Sequence, residues 1–293
     1  MDRLLIVDGH AYAYRAFYAI RELRSPSGVP TNAIYGFVKM LAKMRATIAP
    51  THLIVVWDGG LSAVRMAALP EYKAQRPETP DDLKPQFDEI VSFLKAAGVA
   101  SFCGDGVEAD DYIACLARRA ADAGWQVVIA SADKDFMQLV SARVGLLNPN
   151  DKTETVWTDE QVRNKTGVEP SQIVDWLALM GDSVDNIRGV PGVGPKTAAD
   201  LLKQFGSVAK LYERLDEVKS EKLRASLRAS AEAVRRNLEL VRLHDVPCDF
   251  LPEELLEKPA DAGRLRELFA RWGFKGMLAA LEESSRVKQA VLI

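Results

Sequence analysis

Nine acidic residues stand where strands or helices are expected to begin or end, and acids so placed can do metal chemistry. They are Asp8, Asp58, Glu108, Asp110, Asp111, Asp133, Asp135, Asp182 and Asp185. Asp8 closes the apolar run Leu4-Leu5-Ile6-Val7, and Asp58 closes Leu53-Ile54-Val55-Val56-Trp57. Glu108-Ala109-Asp110-Asp111 opens a helical pattern, as does Asp133-Lys134-Asp135 after the run Gln126-Val127-Val128-Ile129-Ala130. Asp182 and Asp185, in Gly181-Asp182-Ser183-Val184-Asp185-Asn186, follow a helix whose apolar face carries Ile173, Trp176, Leu177 and Met180. Taken singly, an acid after a strand reads equally as a turn former or a helix cap, and acids at a helix start suit the helix dipole. Acids at a helix C-terminus oppose that dipole, so capping explains Asp182 and Asp185 least well. Carboxylates crowded together are unfavourable unless a cation neutralises them. With no His or Cys nearby, all-oxygen ligation suits a hard cation, Mg²⁺ or Mn²⁺, rather than Zn²⁺. Two such ions ~4 Å apart are the usual apparatus for in-line attack on a phosphodiester.

The basic groups are fewer and more dispersed. Glu71-Tyr72-Lys73-Ala74-Gln75-Arg76 sets an aromatic ring beside two cations, a trio able to stack on a base and hold a scissile phosphate. A surface loop gathers such residues readily, so both readings stand. Tyr14-Arg15-Ala16-Phe17-Tyr18 is similar in kind, and its rings suit a core equally well. Gly189-Val190-Pro191-Gly192-Val193-Gly194-Pro195-Lys196-Thr197 reads as a turn between helices. Pro195 separates Gly194 from Lys196, so this is no Walker A loop, and Thr197 occupies the third glycine position of a dinucleotide fingerprint. Pro195 suits a first helical turn, and free amides there can hold a phosphate without reading its base, as in a helix-hairpin-helix. A ligand-free interhelical turn is the plainer alternative. Residues 196–242 hold eleven basic against seven acidic side chains, an excess that usually marks only a solvated face. His10, His52 and His244 form no HExxH pair and no GxSxG elbow is present, which excludes a zinc protease or a hydrolase triad of those types.

The elements that must position these groups fall into two patterns. Up to about residue 159, strands at 4–7, 53–57, 126–130 and 143–147 alternate with helices at 32–48, capped by Thr31, at 82–97 and at 109–123. Alternation of this kind implies an α/β fold with a mainly parallel sheet, whose ligands sit at the carboxyl ends of the strands. Asp8, Asp58 and Asp133 lie at or just beyond such ends. The Pro-rich connection 59–85 is long and without periodicity, as functional loops tend to be. Beyond 159 the strands are expected to stop, with helices at 159–166, 171–180, 197–204, 221–228 and 232–243 and one or two more over 263–283. The chain has 293 residues, 48% hydrophobic and 27% charged, with 38 basic and 41 acidic side chains. That content and length suit a folded chain of about two domains. Taken alone, the balance of −3 argues against a nucleic-acid partner, yet setting the nine acids aside leaves 32 against 38 basic residues. Three widely spaced cysteines, no apolar run long enough for a bilayer and no secretion signal fit a cytoplasmic location and no membrane partner.

Several of these strings together resemble, in order, the 5′ nucleases: the N-terminal 5′→3′ exonuclease domain of bacterial DNA polymerase I and its flap-endonuclease relatives. They are Val7-Asp8-Gly9 with Tyr14-Arg15-Ala16-Phe17, Gly28-Val29-Pro30-Thr31-Asn32-Ala33-Ile34-Tyr35-Gly36-Phe37, Val56-Trp57-Asp58 and Tyr72-Lys73-Ala74-Gln75-Arg76. Glu108-Ala109-Asp110-Asp111, Ala132-Asp133-Lys134-Asp135, Gly181 to Asn186 and Gly189 to Ala198 complete the series. Trp57 stands where the family usually has Phe, and the stretch Gly59 to Arg65 is looser than its usual counterpart.

The resemblance implies a PIN-like α/β nuclease core over 1–170 with an arch or clamp at about 59–85. A helix-three-turn-helix DNA-binding domain would follow over 171–257, then C-terminal helices and a tail over 258–293. It implies two Mg²⁺ or Mn²⁺ ions: Asp8, Asp58, Glu108 and Asp110 would hold the first, and Asp111, Asp133, Asp135, Asp182 and Asp185 would complete or support the second. Lys73 and Arg76, with Tyr72, would steer and stabilise the scissile phosphate. Arg15 and the hairpin residues Gly189, Val190, Gly192, Val193, Gly194, Lys196 and Thr197 would bind DNA, the hairpin often through a K⁺ ion in this family. The implied activity is 5′→3′ exonuclease and 5′-flap endonuclease cleavage by a monomer, on DNA or on RNA primers paired to DNA, in primer removal and repair. A non-catalytic DNA-junction binder and a PIN-type ribonuclease are the alternatives. No polymerase portion has a counterpart here, so the chain reads as a free-standing nuclease or an N-terminal portion of a longer one.

Overall fold

Leu4, Leu5, Ile6 and Val7 have no solvent exposure, as expected of a strand covered on both faces. In the computed structural model this run is β1 (Arg3–Asp8), followed by α1 (Gly9–Ala19), α2 (Asn32–Ile48) and β2 (His52–Trp57). Next come α3 (Ala63–Ala68), α4 (Lys84–Ala96), β3 (Ala100–Cys103), α5 (Ala109–Asp122) and β4 (Gln126–Ala130). Then follow β5 (Val144–Leu147), β6 (Val156–Trp157), α6 (Asp159–Thr166) and α7 (Ile173–Met180). Two short strands come next, β7 (Gly181–Asp182) and β8 (Ile187–Arg188), and then α8 (Pro195–Phe205) and α9 (Val208–Glu213). The rest is α10 (Glu221–Ala229), α11 (Ala231–Leu240), α12 (Pro252–Leu255), α13 (Ala262–Trp272) and α14 (Lys275–Val291). The structure describes residues 2–151 and 155–291, with 284–291 by backbone alone, so the end of the expected tail lies outside the described residues. No helix among the described residues is long and apolar enough to cross a membrane.

Contacts divide the chain into two units. The first takes in the residues up to 57, 79–102 and those from 251 on. Its strands run in the order β3-β2-β1, with β1 and β2 parallel and Asp8 in register with Val56. Trp57, in the place where Phe is usual, is buried and donates its indole N–H to Ser101 Oγ at 3.0 Å. The expected Thr31 cap on α2 is replaced: the Thr31 hydroxyl donates to Leu23 O instead. The first amides of α2, on Ala33 and Ile34, donate to Gln86 Oε1 at 2.8 and 3.2 Å. Gln86 is itself buried on α4, so a helix brought in from a distance satisfies amides that a local hydroxyl was expected to cap.

The second unit takes in 58–78 and 103–250. Here β4 and β5 are parallel and β6 closes the edge antiparallel. Asp133-Lys134-Asp135 opens a 3₁₀ turn, Lys134–Leu139, rather than an α-helix. Strands do not stop at 159: β7 and β8 pair antiparallel, Gly181 with Arg188 and Asp182 with Ile187. The 59–85 connection contains α3, whose Ser62 side chain accepts from Arg65 N.

Candidate metal centre

Eight of the nine predicted carboxylates lie in the second unit, and an unbroken series of contacts links them. Asp58 follows β2, and its Oδ1 accepts from Ala109 N at 3.4 Å, at the start of α5. That helix start carries Glu108, buried, and Asp110, partly exposed. Lys73 Nζ lies 2.7 Å from Glu108 Oε2 and 4.0 Å from Asp110 Oδ2. The Tyr72 hydroxyl lies 3.2 Å from both Glu108 Oε2 and Asp185 Oδ2, placed to donate to either. Arg76 reaches Asp185 Oδ1 at 2.8 Å, and Lys134 reaches Asp182 Oδ2 at 2.7 Å. Asp135, Asp182 and Asp185 each offer a carboxylate oxygen within 4.8 Å of the other two. Asp133 accepts from Asp135 N at 2.9 Å, fixing the turn that carries Asp135.

Local backbone chemistry explains these positions. At Gly181 the backbone turns to φ +78 and ends α7. Gly181 and Gly189 then pack backbone to backbone: a Cβ on Gly189 would lie 2.2 Å from the Met180 carbonyl carbon. The β7–β8 hairpin is thereby folded tightly against the end of α7, with Asp182 ending β7 and Asp185 in the turn between the two strands. Lys73, at φ +56, donates its amide to Asp185 O, so the basic segment is tied to the same hairpin.

Burial disfavours the charged form of each of these groups, and neighbouring charges either add to that or outweigh it. Burial pushes the Asp135 carboxyl well above the usual carboxylate range, and Asp133, Asp182 and Asp185 push it further. Asp133 is raised too, again chiefly by burial. Glu108 goes the other way: burial disfavours its charge, but Lys73 and Arg65 outweigh that and hold its carboxyl below the usual range. For Lys73, burial is likewise outweighed by Asp110, Asp185 and Glu108, which keep it charged. Asp135 Oδ1 is buried with no hydrogen-bond partner among the described residues. A stranded carboxylate oxygen beside two further carboxylates, with only oxygen donors around it, fits a hard divalent cation.

Some predicted residues sit differently from expectation. Tyr72 is buried, so its ring presents no face to a base in this conformation, and its hydroxyl braces two carboxylates. Asp111 is engaged by Arg65 through hydrogen bonds of 2.6 and 2.7 Å and also accepts from His244 N. Val190 and Val193 are buried anchors of the turn, whereas Gly192 and Lys196 are exposed and Thr197 is partly so. The first-turn amides of α8 have no acceptor within their own helix, and Gly194 caps it without a side chain. Asp8 and Arg15 belong to the first unit: Asp8 is buried and caps α1 by accepting from Ala11 N, and Arg15 is exposed on α1.

Sequence reasoning passed over Arg65 and Asn237. Arg65 is buried, pairs with Asp111, lies 3.2 Å from Glu108 and donates to Leu240 O and Arg242 O. Nothing in a short, aperiodic stretch marks such an arginine, because all four of its partners are distant in sequence.

This arrangement gathers carboxylates and cations into one cluster, in which Asp135, Asp182 and Asp185 could hold a metal ion, and the chain belongs to the 5′-3′ exonuclease family. The family's N-terminal resolvase-like domain matches residues 3–167 and its C-terminal SAM fold matches residues 168–263. The expected fold class therefore holds: a PIN-like, mostly parallel sheet flanked by helices, with a helical C-terminal domain. Among relatives, the chain is 40% identical to a 5′-3′ exonuclease of Aquifex aeolicus, over 98% of this chain and 97% of that one. It is 38% identical to DNA polymerase I of Bacillus caldotenax, over 99% of this chain but 33% of the polymerase, so it spans about a third of that protein's length. Among solved structures, it resembles the flap endonuclease of bacteriophage T5, crystallised as a pseudo-enzyme–product complex with DNA and metal ions. There the TM-score is 0.68 at 28% identity, covering 82% of this chain and 89% of the phage protein.

Proposed function

We propose that this chain is a divalent-metal-dependent 5′ nuclease that cuts DNA at the junction between a 5′ single strand and duplex and degrades from 5′ ends. The observation that carries this reading is the triad Asp135, Asp182 and Asp185, with its stranded buried Oδ1, beside Tyr72, Lys73 and Arg76. Asp135, Asp182 and Asp185 would hold one ion, with Asp133 fixing the turn that carries Asp135, and Asp58, Glu108 and Asp110 would hold another. Mg²⁺ or Mn²⁺ bound there supplies Lewis-acid polarisation of the phosphate and activation of water for in-line attack. Lys73 and Arg76, kept charged by their acidic neighbours, present fixed positive charge to the phosphate and neutralise what develops on it. Tyr72 orients Glu108 and Asp185, and Arg65 holds Asp111 and so steadies the start of α5. The amides and exposed residues of the 189–197 turn grip duplex backbone without reading sequence, and a K⁺ ion at that turn is part of the same reading. The exonuclease relative and the DNA-bound phage enzyme support it.

The test is cleavage of a 5′-flap DNA duplex and of single-stranded RNA in Mg²⁺. The reading expects cuts near the flap junction, absent in EDTA. Preferential cutting of single-stranded RNA would establish the ribonuclease alternative, and flap binding with no cleavage would establish a junction binder.

A further inference from the structure

The geometry points to Asn237 as a positioning residue, and to α11 as a strut that sets the spacing between two sides of the carboxylate pocket. The inference rests on the metal site proposed above. Asn237 is 1% exposed. Its Nδ2 donates to Ala178 O at 3.0 Å and to Arg188 O at 2.9 Å, using both of its hydrogens. Those two carbonyls flank the segment that carries Asp182 and Asp185. Ala178 lies in the last turn of α7, where carbonyls lack partners within the helix. Its neighbours there are already served, Leu177 O by Gly181 N and Leu179 O by Val190 N. Without Asn237 the Ala178 carbonyl loses the donor that the end of α7 does not supply.

Three residues on, about one helical turn along α11, Leu240 O accepts from Arg65 Nε at 2.9 Å. Arg65 grips Asp111 and reaches Glu108. One stretch of α11 therefore touches the hairpin of Asp182 and Asp185 through Asn237, and the start of α5 through Leu240 and Arg65. The Asn237 acceptor, Oδ1, is buried with no hydrogen-bond partner among the described residues. A buried polar atom left so is uncommon and calls for a reason. The reason here is the pair of donors: a neutral side chain of this size offers two hydrogens from one atom only as an amide. Removing them lets the hairpin shift against α5 and loosens the ligand spacing.

The experiment is calorimetric titration of Mn²⁺ into DNA-free protein, wild type against Asn237→Leu, which conserves volume and removes both donors. Folding is checked by circular dichroism and thermal unfolding. The strut predicts a folded variant that binds Mn²⁺ about tenfold more weakly or worse, the scale at which outer-shell partners act, while flap cleavage at saturating Mn²⁺ returns close to the wild-type rate. Val234→Ala, which removes buried volume from the same helix without touching the clamp, should bind Mn²⁺ as wild type does. Unchanged Mn²⁺ affinity in Asn237→Leu, or an equal loss in Val234→Ala, overturns the inference. If Asn237→Leu does not fold, Asn237→Ser, which keeps one donor, is held to the same comparison. If the wild-type chain takes up no Mn²⁺, the metal site itself falls and the strut falls with it; if wild type binds and only the comparison fails, the strut alone is wrong.

Discussion

Arg65 holds Asp111 in a two-pronged ion pair of 2.6 and 2.7 Å, with both side chains almost wholly buried. Removing one partner of such a pair leaves a buried charge uncompensated. Arg65→Ala is therefore expected to destabilise the fold by about 3–5 kcal/mol. Arg65→Lys should recover little of this, because an ammonium cannot form the fork. Urea unfolding measures both, and unchanged midpoints would contradict the role assigned to the pair.

Gly189 and Gly192 make a contrasting test. A Cβ on Gly189 would strike the Met180 carbonyl carbon at 2.2 Å, so Gly189→Ala must push β8 off the end of α7. A loss of about 3 kcal/mol or more, together with lost cleavage, is expected. Gly192 has φ +83 but open space around it, so Gly192→Ala should lose only about 1–2 kcal/mol through backbone strain. Equal effects in thermal unfolding would contradict the close packing at Gly189.

Asp135 and Glu108 set opposite pH dependences in metal-free protein. The Asp135 carboxyl is raised by burial and by its acidic neighbours, so it detracts from stability as pH climbs from the ordinary carboxylate value toward its own, and detracts nothing below that window. Glu108 is lowered because Lys73 and Arg65 outweigh burial, so its contribution is present above the ordinary value and is lost as pH falls through its own. Asp135→Asn should therefore raise the unfolding temperature in EDTA at pH ~7, have little effect near pH ~3, and abolish stabilisation by Mn²⁺. A variant less stable than wild type at neutral pH would contradict the assignment.

Lys73→Ala removes a cation that the carboxylates hold charged at the pocket. Flap cleavage should slow by about 10²-fold or more, with duplex affinity in EDTA nearly unchanged. Weakened binding with an unaltered single-turnover rate would place Lys73 in grip rather than chemistry.

How much of this was legible in the sequence depended on whether the signal was local. The continuous apolar run at β2 and the periodicity of α2 gave strand and helix directly, because burial on both faces and on one face leave distinct patterns. The cap of α2 did not, because Gln86 comes from another helix. Strands β7 and β8 escaped because two residues are too few to show a period. The acids at element ends include three, Asp135, Asp182 and Asp185, that the structure brings within reach of one another, yet the ion pair on Asp111 and the buried ring of Tyr72 could not be read, since each depends on partners dozens of residues away. Arg65 and Asn237 were invisible for the same reason.

The central claim is that Asp135, Asp182 and Asp185 hold a divalent cation on which 5′ cleavage depends. The rate of 5′-flap cleavage across a Mg²⁺ titration, wild type against Asp185→Asn, tests it most directly. No cutting in EDTA, a rate that rises with Mg²⁺ in wild type, and a loss of about a hundredfold or more in the variant are predicted. Cleavage in EDTA, or matching titration curves for the two proteins, would contradict it.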